Sequence, residues 1–136
     1  MNLNDIKASL KTETREIEFK PVGEPTGMFF ELRHESAEEV QKFMRTYTAK
    51  IRDLTMKRKT TASSNLMKEH EDGLRVAHVV GWSWAEGADE DNGRPEFTKK
   101  ELRVLLQDKV VGFHLRKFID EEVGVLEDFL EKSEDN

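Results

Sequence analysis

Cysteine is absent from this 136-residue chain, proline occurs three times, tyrosine once, and no apolar run is long. Without cysteine there is no disulfide framework, no thiolate nucleophile and no Cys-type zinc site, and a reducing cytoplasm is the simplest compartment. No segment approaches the roughly 18 apolar residues that a membrane span requires, and Met1 to Leu10 carry no apolar stretch of the signal-sequence type. Apolar residues are scarce overall: they make up 36% against 37% charged, where a typical domain has roughly 45–50% and about 25%. That balance predicts a thin core, or one completed by pairing with copies of itself or with a partner. The length fits one domain. A net charge of −6 argues against nucleic acid as a partner of the whole domain, because phosphate neutralisation needs a basic face, but leaves a local basic patch open.

What is present reads as an α+β, predominantly helical domain over 14–131. It is preceded by a lead, 1–13, that is a short helix or disordered, and followed by a disordered acidic tail, 132–136. Leu3, Ile6 and Leu10 recur at helical spacing in the lead. Ile17 and Phe19 then alternate with charged residues, the turn residues Gly23, Pro25 and Gly27 follow, and Met28-Phe29-Phe30-Glu31-Leu32 forms a second aromatic run. This predicts a hairpin over 15–34 packed on the helices, since a lone hairpin is marginal in water. Phe29 and Phe30 point to opposite strand faces, which offers one of them to a partner. Ser36-Ala37-Glu38-Glu39 reads as a capping box. It opens a helix over 36–59 whose stripe is Val40, Phe43, Met44, Tyr47, Ile51 and Leu54. The polar run Thr60 to Asn65 reads as a break or loop. Leu66, His70, Leu74, Ala77 and Val80 share one helical face, while Val76, His78, Val80 and Trp82 also fit an alternating strand. Helix is preferred over 65–80, with an extended exit through the tryptophans. Thr98-Lys99-Lys100-Glu101 is a second capping box and opens a helix over 98–108, and a last helix covers 111–131.

No arrangement of residues points to catalysis, a cofactor or a metal. The acidic run Asp89-Glu90-Asp91-Asn92-Gly93 invites calcium, but with Gly93 at the sixth loop position the first is Ala88 and the twelfth Lys99, where the calcium loop needs Asp and Glu. His34, His70, His78 and His114 include no pair at the i, i+4 spacing of helical zinc sites. Phosphate-cradling glycine loops and nucleophile elbows are missing too, so the expectation is a protein that is not an enzyme.

Charge is more informative. Between Lys42 and Lys59 lie Lys42, Arg45, Lys50, Arg52, Lys57, Arg58 and Lys59 against Asp53 alone. From Asp120 onward eight acids, among them Glu121 and Glu122, oppose Lys132. Either both are solvated faces, or the basic face of one copy meets the acidic C-terminal helix of the next, a heterologous contact that builds a ring or a spiral. Nucleic-acid binding by Arg45 to Lys59 is the alternative use of the same cations.

Both tryptophans lie in one junction: Gly81-Trp82-Ser83-Trp84, an acidic turn with Asn92-Gly93, then Arg94-Pro95-Glu96-Phe97-Thr98 at the start of a helix carrying Leu102 to Leu106. With the following Phe113, Leu115, Phe118, Ile119 and the acidic amphipathic end bearing Phe129, this pattern resembles the tail assembly chaperones of long-tailed bacteriophages. The resemblance covers most of 14–130. It implies a mainly helical protein of the infected bacterium's cytoplasm, absent from the mature virion, that binds the tape measure protein, keeps it soluble and helps recruit tail tube subunits. Phe43, Met44, Tyr47, Ile51 and Met56 are candidates for a client groove or self-association face, with a place in the protein's own core as the other reading. Trp82, Trp84, Gly93, Pro95, Phe97 and Thr98 read as a structural junction.

Overall fold

Alternation decides the sheet. In the computed structural model, which describes residues 2–134 except for the side chains of Leu10, Lys11 and 125–134, Met28, Phe30 and Leu32 of strand β2 (Met28–Arg33) are buried, while Phe29, Glu31 and Arg33 are half-buried on the other face. The preceding strand β1 (Thr14–Glu18) pairs antiparallel with β2, Ile17 opposite Phe30. A third strand, β3 (Val79–Trp84), pairs on the other side of β2, Phe30 opposite Trp82, so the order is β1-β2-β3 with β1 at an edge. The protein is α+β, with five helices around this sheet among the described residues: α1 (Leu3–Thr12), α2 (Glu38–Met56), α3 (Thr60–His78), α4 (Lys99–Gln107) and α5 (Val111–Glu134).

Strand β3 replaces the end of the helix expected over 65–80. Helix α3 ends at His78 and the chain passes directly into β3, with Val79 already extended. The β2–β3 ladder carries a bulge between Glu31 and Leu32: Glu31 pairs with Gly81 and Leu32 with Val79, leaving Val80 as the extra residue. The bulge places both Val79 and Trp82 in the core. Val76, Val79 and Trp82 are therefore buried at a spacing of three across a helix-to-strand transition, whereas Leu66, His70, Leu74, Ala77 and Val80, the stripe that favours a helix, are only half-buried.

Three further boundaries differ from expectation. Thr60 to Asn65 is the first part of α3 rather than a loop. The weak helix propensity of the Thr, Ser and Asn residues, up to about 0.7 kcal/mol each relative to alanine, is outweighed by pairing with α2, where Lys50, Asp53 and Leu54 face Ala62, Asn65 and Leu66 across a shallow cleft. The reversal is confined to Lys57, Arg58 and Lys59: Arg58 takes φ +56°, and Lys59 N–H donates to the Leu54 carbonyl at 2.9 Å. At the other end of α2, the N-cap is Ala37, which makes no side-chain cap bond, while the Ser36 hydroxyl lies 2.7 Å from His34 Nδ1. In the lead, α1 is capped by Asn2, whose side chain and Asp5 exchange bonds with each other's backbone N–H. The segment 132–134, expected as tail, continues α5, and residues 135–136 lie outside the described residues.

The core lies between one face of the sheet and α3, α4 and α5. Phe30 is fully buried at its centre, meeting the rings of Phe19 (5.9 Å), Trp82 (5.7 Å) and Phe118 (5.6 Å). Burying a side chain of this size contributes about 1.5–3 kcal/mol. Leu102 and Leu106 of α4 and Leu115 and Ile119 of α5 close the far side. Asp108 starts α5 by accepting from the N–H groups of Val110 (2.8 Å) and Val111 (2.9 Å). These bonds hold its carboxyl below the usual carboxylate range. No helix of the described residues is long and apolar enough to cross a membrane.

Candidate functional site

Helices α2 and α3 form a two-helix arm. From Gln41 to Asp72 no residue of this arm is fully buried. At about 1.5 Å per residue, the α2 portion alone extends about 24 Å. The arm is pinned at its base, where Val40 is buried and Phe43 packs over Gly73. A Cβ at Gly73 would come within 2.8 Å of Phe43 Cε2, so the small residue permits close approach of the two helices.

Of the predicted groove residues, Phe43, Met44, Tyr47 and Ile51 are half-buried and lie outside the central core. Phe43 and Tyr47 stack on His70 of α3, with ring centroids 5.6 and 3.8 Å apart. They form the seam of the arm, a small core of its own with one side open. Met56 at the far end is 78% exposed. Met67 of α3 is 55% exposed. Sequence reasoning misses it because it falls off the stripe of Leu66, His70 and Leu74 on the expected helix.

The predicted cations lie on the same arm. Arg52, Lys57, Arg58 and Lys59 are all exposed. Lys57 meets Asp53 at 3.1 Å within α2, and Arg45 meets Glu38 at 2.8 Å. Exposed pairs of this kind contribute little, so the arm keeps its positive field. The predicted acidic counterpart is only partly described. Glu121 is exposed, Glu122 lies 3.9 Å from Arg15 of β1, and the Phe129 side chain lies outside the described residues. Phe29, on the face of β2 away from the core, is half-buried.

The junction residues do come together. Trp82 Nε1–H and Trp84 Nε1–H both donate to the Pro95 carbonyl, at 2.8 and 2.9 Å, so one acceptor serves both indoles. Phe97 meets Trp82 edge to face at 5.0 Å. Gly93 adopts φ +75°, a conformation glycine takes without a side-chain penalty, and Asp89 and Arg94 close the turn through backbone bonds of 2.7 and 2.8 Å. Thr98 Oγ1 accepts from Glu101 N–H at 3.0 Å and caps α4. The whole assembly fixes the direction in which α4 leaves the sheet.

Two clefts lie elsewhere. One, about 350 Å³, is lined by Glu35, Leu74, Arg75, His78, Asp120 and Val123. His78 Nδ1 lies 2.9 Å from the Leu74 carbonyl, which can only accept, so Nδ1 carries the proton and Nε2 is a bare lone pair without a partner among the described residues. Burial pushes the His78 pKa down, opposed in part by the Leu74 carbonyl. Arg75 is held above its usual value, first by its hydrogen bond to Asp120 and also by Asp72. No group of three or more His, Asp or Glu side chains among the described residues is placed to hold a metal ion. The other cleft, about 520 Å³, separates β1 from α5. It is lined by Ile17 to Pro21 on one side and by Phe113, His114, Lys117, Phe118, Glu121 and Glu122 on the other.

Comparison with family models, with curated proteins and with solved structures gives no match to this chain.

Proposed function

We propose that this chain is a tail assembly chaperone of a long-tailed bacteriophage: a self-associating protein without enzymatic activity that binds the tape measure protein and helps recruit tail tube subunits. It acts in the cytoplasm of the infected bacterium and is absent from the mature virion. One observation carries the reading beyond the resemblance, namely the half-covered α2–α3 arm with Met56 and Met67 exposed along it. A long helical client exposes apolar stripes before the tube encloses it. Unbranched, polarisable methionines cover such stripes with little selectivity for sequence, in the helix-in-groove manner. The arm's cations add attraction to an acidic client and keep the free arm soluble.

Co-expression with the tape measure protein tests this reading. The chain should raise the soluble fraction of the client and purify with it, and the pair Met56→Glu with Met67→Glu should abolish both effects without lowering the chaperone's own stability. Absence of co-purification with the unaltered chain would sink the proposal. The exposed Arg52, Lys57, Arg58 and Lys59 favour a second reading, a nucleic-acid-binding adaptor. A salt-dependent gel shift separates the two. If these cations hold phosphates, reversing Lys57, Arg58 and Lys59 to Glu lowers the slope of log affinity against log salt by about 2.7.

A further inference from the structure

Helix α1 carries an apolar stripe that no other described residue covers. Leu3 is 63% exposed and Ile6 42%, and every described residue of the helix is exposed. A ten-residue helix is marginal on its own in water, so a stripe of this kind is suited to a groove. The cleft between β1 and α5 is such a groove. Phe113 stands 63% exposed at its rim, beside Phe19, Pro21 and Phe118. Strand β1 is also a sheet edge, the kind of surface that proteins commonly cover with a helix.

The chain cannot bring α1 into its own groove. Only Glu13 separates Thr12, the last residue of α1, from Thr14, which already pairs with Arg33. Glu13 is extended, and its carbonyl accepts from His34 N–H at 3.4 Å, continuing the ladder. The groove lies toward the opposite end of β1, alongside Ile17 to Pro21. Reaching it would require the helix to reverse within one residue that the sheet already holds. Charge agrees with an occupant of this sequence. Lys7 lies one turn beyond Leu3 at the border of the stripe, and the groove presents Glu18, Glu121 and Glu122 against Lys20 and Lys117.

We infer that α1 of one copy seats Leu3 and Ile6 in the β1–α5 groove of a second copy. This gives the proposed self-association a specific interface and rests on that part of the reading. A contact this small lies well below the roughly 800 Å² per partner of a stable interface, so the association is concentration-dependent.

The absence of native cysteine makes the test direct. Two full-length chains of different tag length, one carrying Ile6→Cys and the other Phe113→Cys, are mixed and treated with a short bismaleimide. The expected result is a crosslinked pair of unlike chains, reduced at least tenfold when Leu3→Glu is added to the first chain. A yield no higher than that of Ile6→Cys with Met56→Cys overturns the inference. So does efficient closure within a single chain carrying both cysteines at high dilution, or a Phe113→Cys chain that crosslinks to co-expressed tape measure protein in preference to Ile6→Cys. Light scattering distinguishes the two levels of failure. If a Leu3→Glu, Ile6→Glu chain associates as the unaltered chain does, the groove assignment fails and self-association stands. An unaltered chain that is monomeric at every concentration removes both.

Discussion

Gly112 and Gly124 occupy the same helix, α5, yet replacing each by alanine should move stability in opposite directions. At Gly112 the added Cβ would overlap the Leu106 carbonyl oxygen and stand 3.0 Å from its carbon and 3.3 Å from the Leu105 carbonyl oxygen. These are backbone atoms and cannot rotate away. The end of α4 would have to move outward, loosening Leu102, Leu106 and Leu115, which are almost completely buried behind it. Overpacking of this kind costs about 1–3 kcal/mol. The intrinsic preference of alanine over glycine in a helix, about 1 kcal/mol in mid-helix, is smaller in the first turn and offsets only part of that cost. A net loss of about 2 kcal/mol for Gly112→Ala corresponds to a fall in Tm of roughly 6–10 °C in a chain of this length. At Gly124 no described atom outside the helix's own backbone and the adjoining residues lies within 4 Å of the added Cβ. Gly124→Ala should therefore gain about 0.5–1 kcal/mol through helix preference and a less flexible unfolded chain. Urea unfolding followed by far-ultraviolet circular dichroism reads both: the midpoint should fall by about 1 M for Gly112→Ala and rise by about 0.5 M for Gly124→Ala, with similar slopes. A Gly112→Ala protein as stable as the unaltered one would refute the close packing of α4 against α5.

The remaining predictions are shorter. Phe30→Ala should cost about 3–5 kcal/mol, because the cavity would be walled by Phe19, Trp82 and Phe118; a loss under about 1 kcal/mol in urea unfolding would place Phe30 outside the core. Thr98→Ala should cost about 1 kcal/mol by freeing the Glu101 N–H, and Thr98→Ser should restore most of it. His78 is buried with its pKa lowered from 6.5, so below that value the unfolded chain binds the proton more readily than the fold does. The His78 contribution is thus fully present above pH 6.5 and is lost as the pH falls through the lower folded value. The urea midpoint should begin to drop as the pH falls below about 7.5, and His78→Asn should flatten that drop; an unchanged slope would show that His78 is not its source.

Much of the framework was legible because its signals are local. The alternation of Met28, Phe30 and Leu32 marks β2, the Thr98 box marks the start of α4, and Gly93 marks the turn. The misassigned regions share a different cause. Hydrophobic spacing cannot show where the backbone changes from helix to bulged strand: Val80 continues the helical stripe of Leu66, His70, Leu74 and Ala77, yet the residues buried across the transition are Val76, Val79 and Trp82. Thr60 to Asn65 looks like a loop because propensity ignores the neighbouring helix. Ser36 looks like a cap because spacing cannot show that the N-cap falls one residue later, at Ala37. The candidate site was legible residue by residue but not as a surface. Phe43, Tyr47 and Ile51 stand out in the sequence, while their partner His70 and the exposed Met67 emerge only when α3 is placed beside α2.

The junction from Gly81 to Thr98 shows where the division falls. By itself the sequence determined that two indoles flank a polar turn, that Gly93 can take a positive φ and that Thr98 can cap the next helix, since each depends on a few neighbouring residues. Only the tertiary structure decided that both indoles share the Pro95 carbonyl and that Trp82 stands in a third strand opposite Phe30. The same holds for the one-sided burial of the arm and for the groove between β1 and α5. These contacts join segments distant in sequence, and their stabilisation arises when water is excluded between surfaces that no single segment contains.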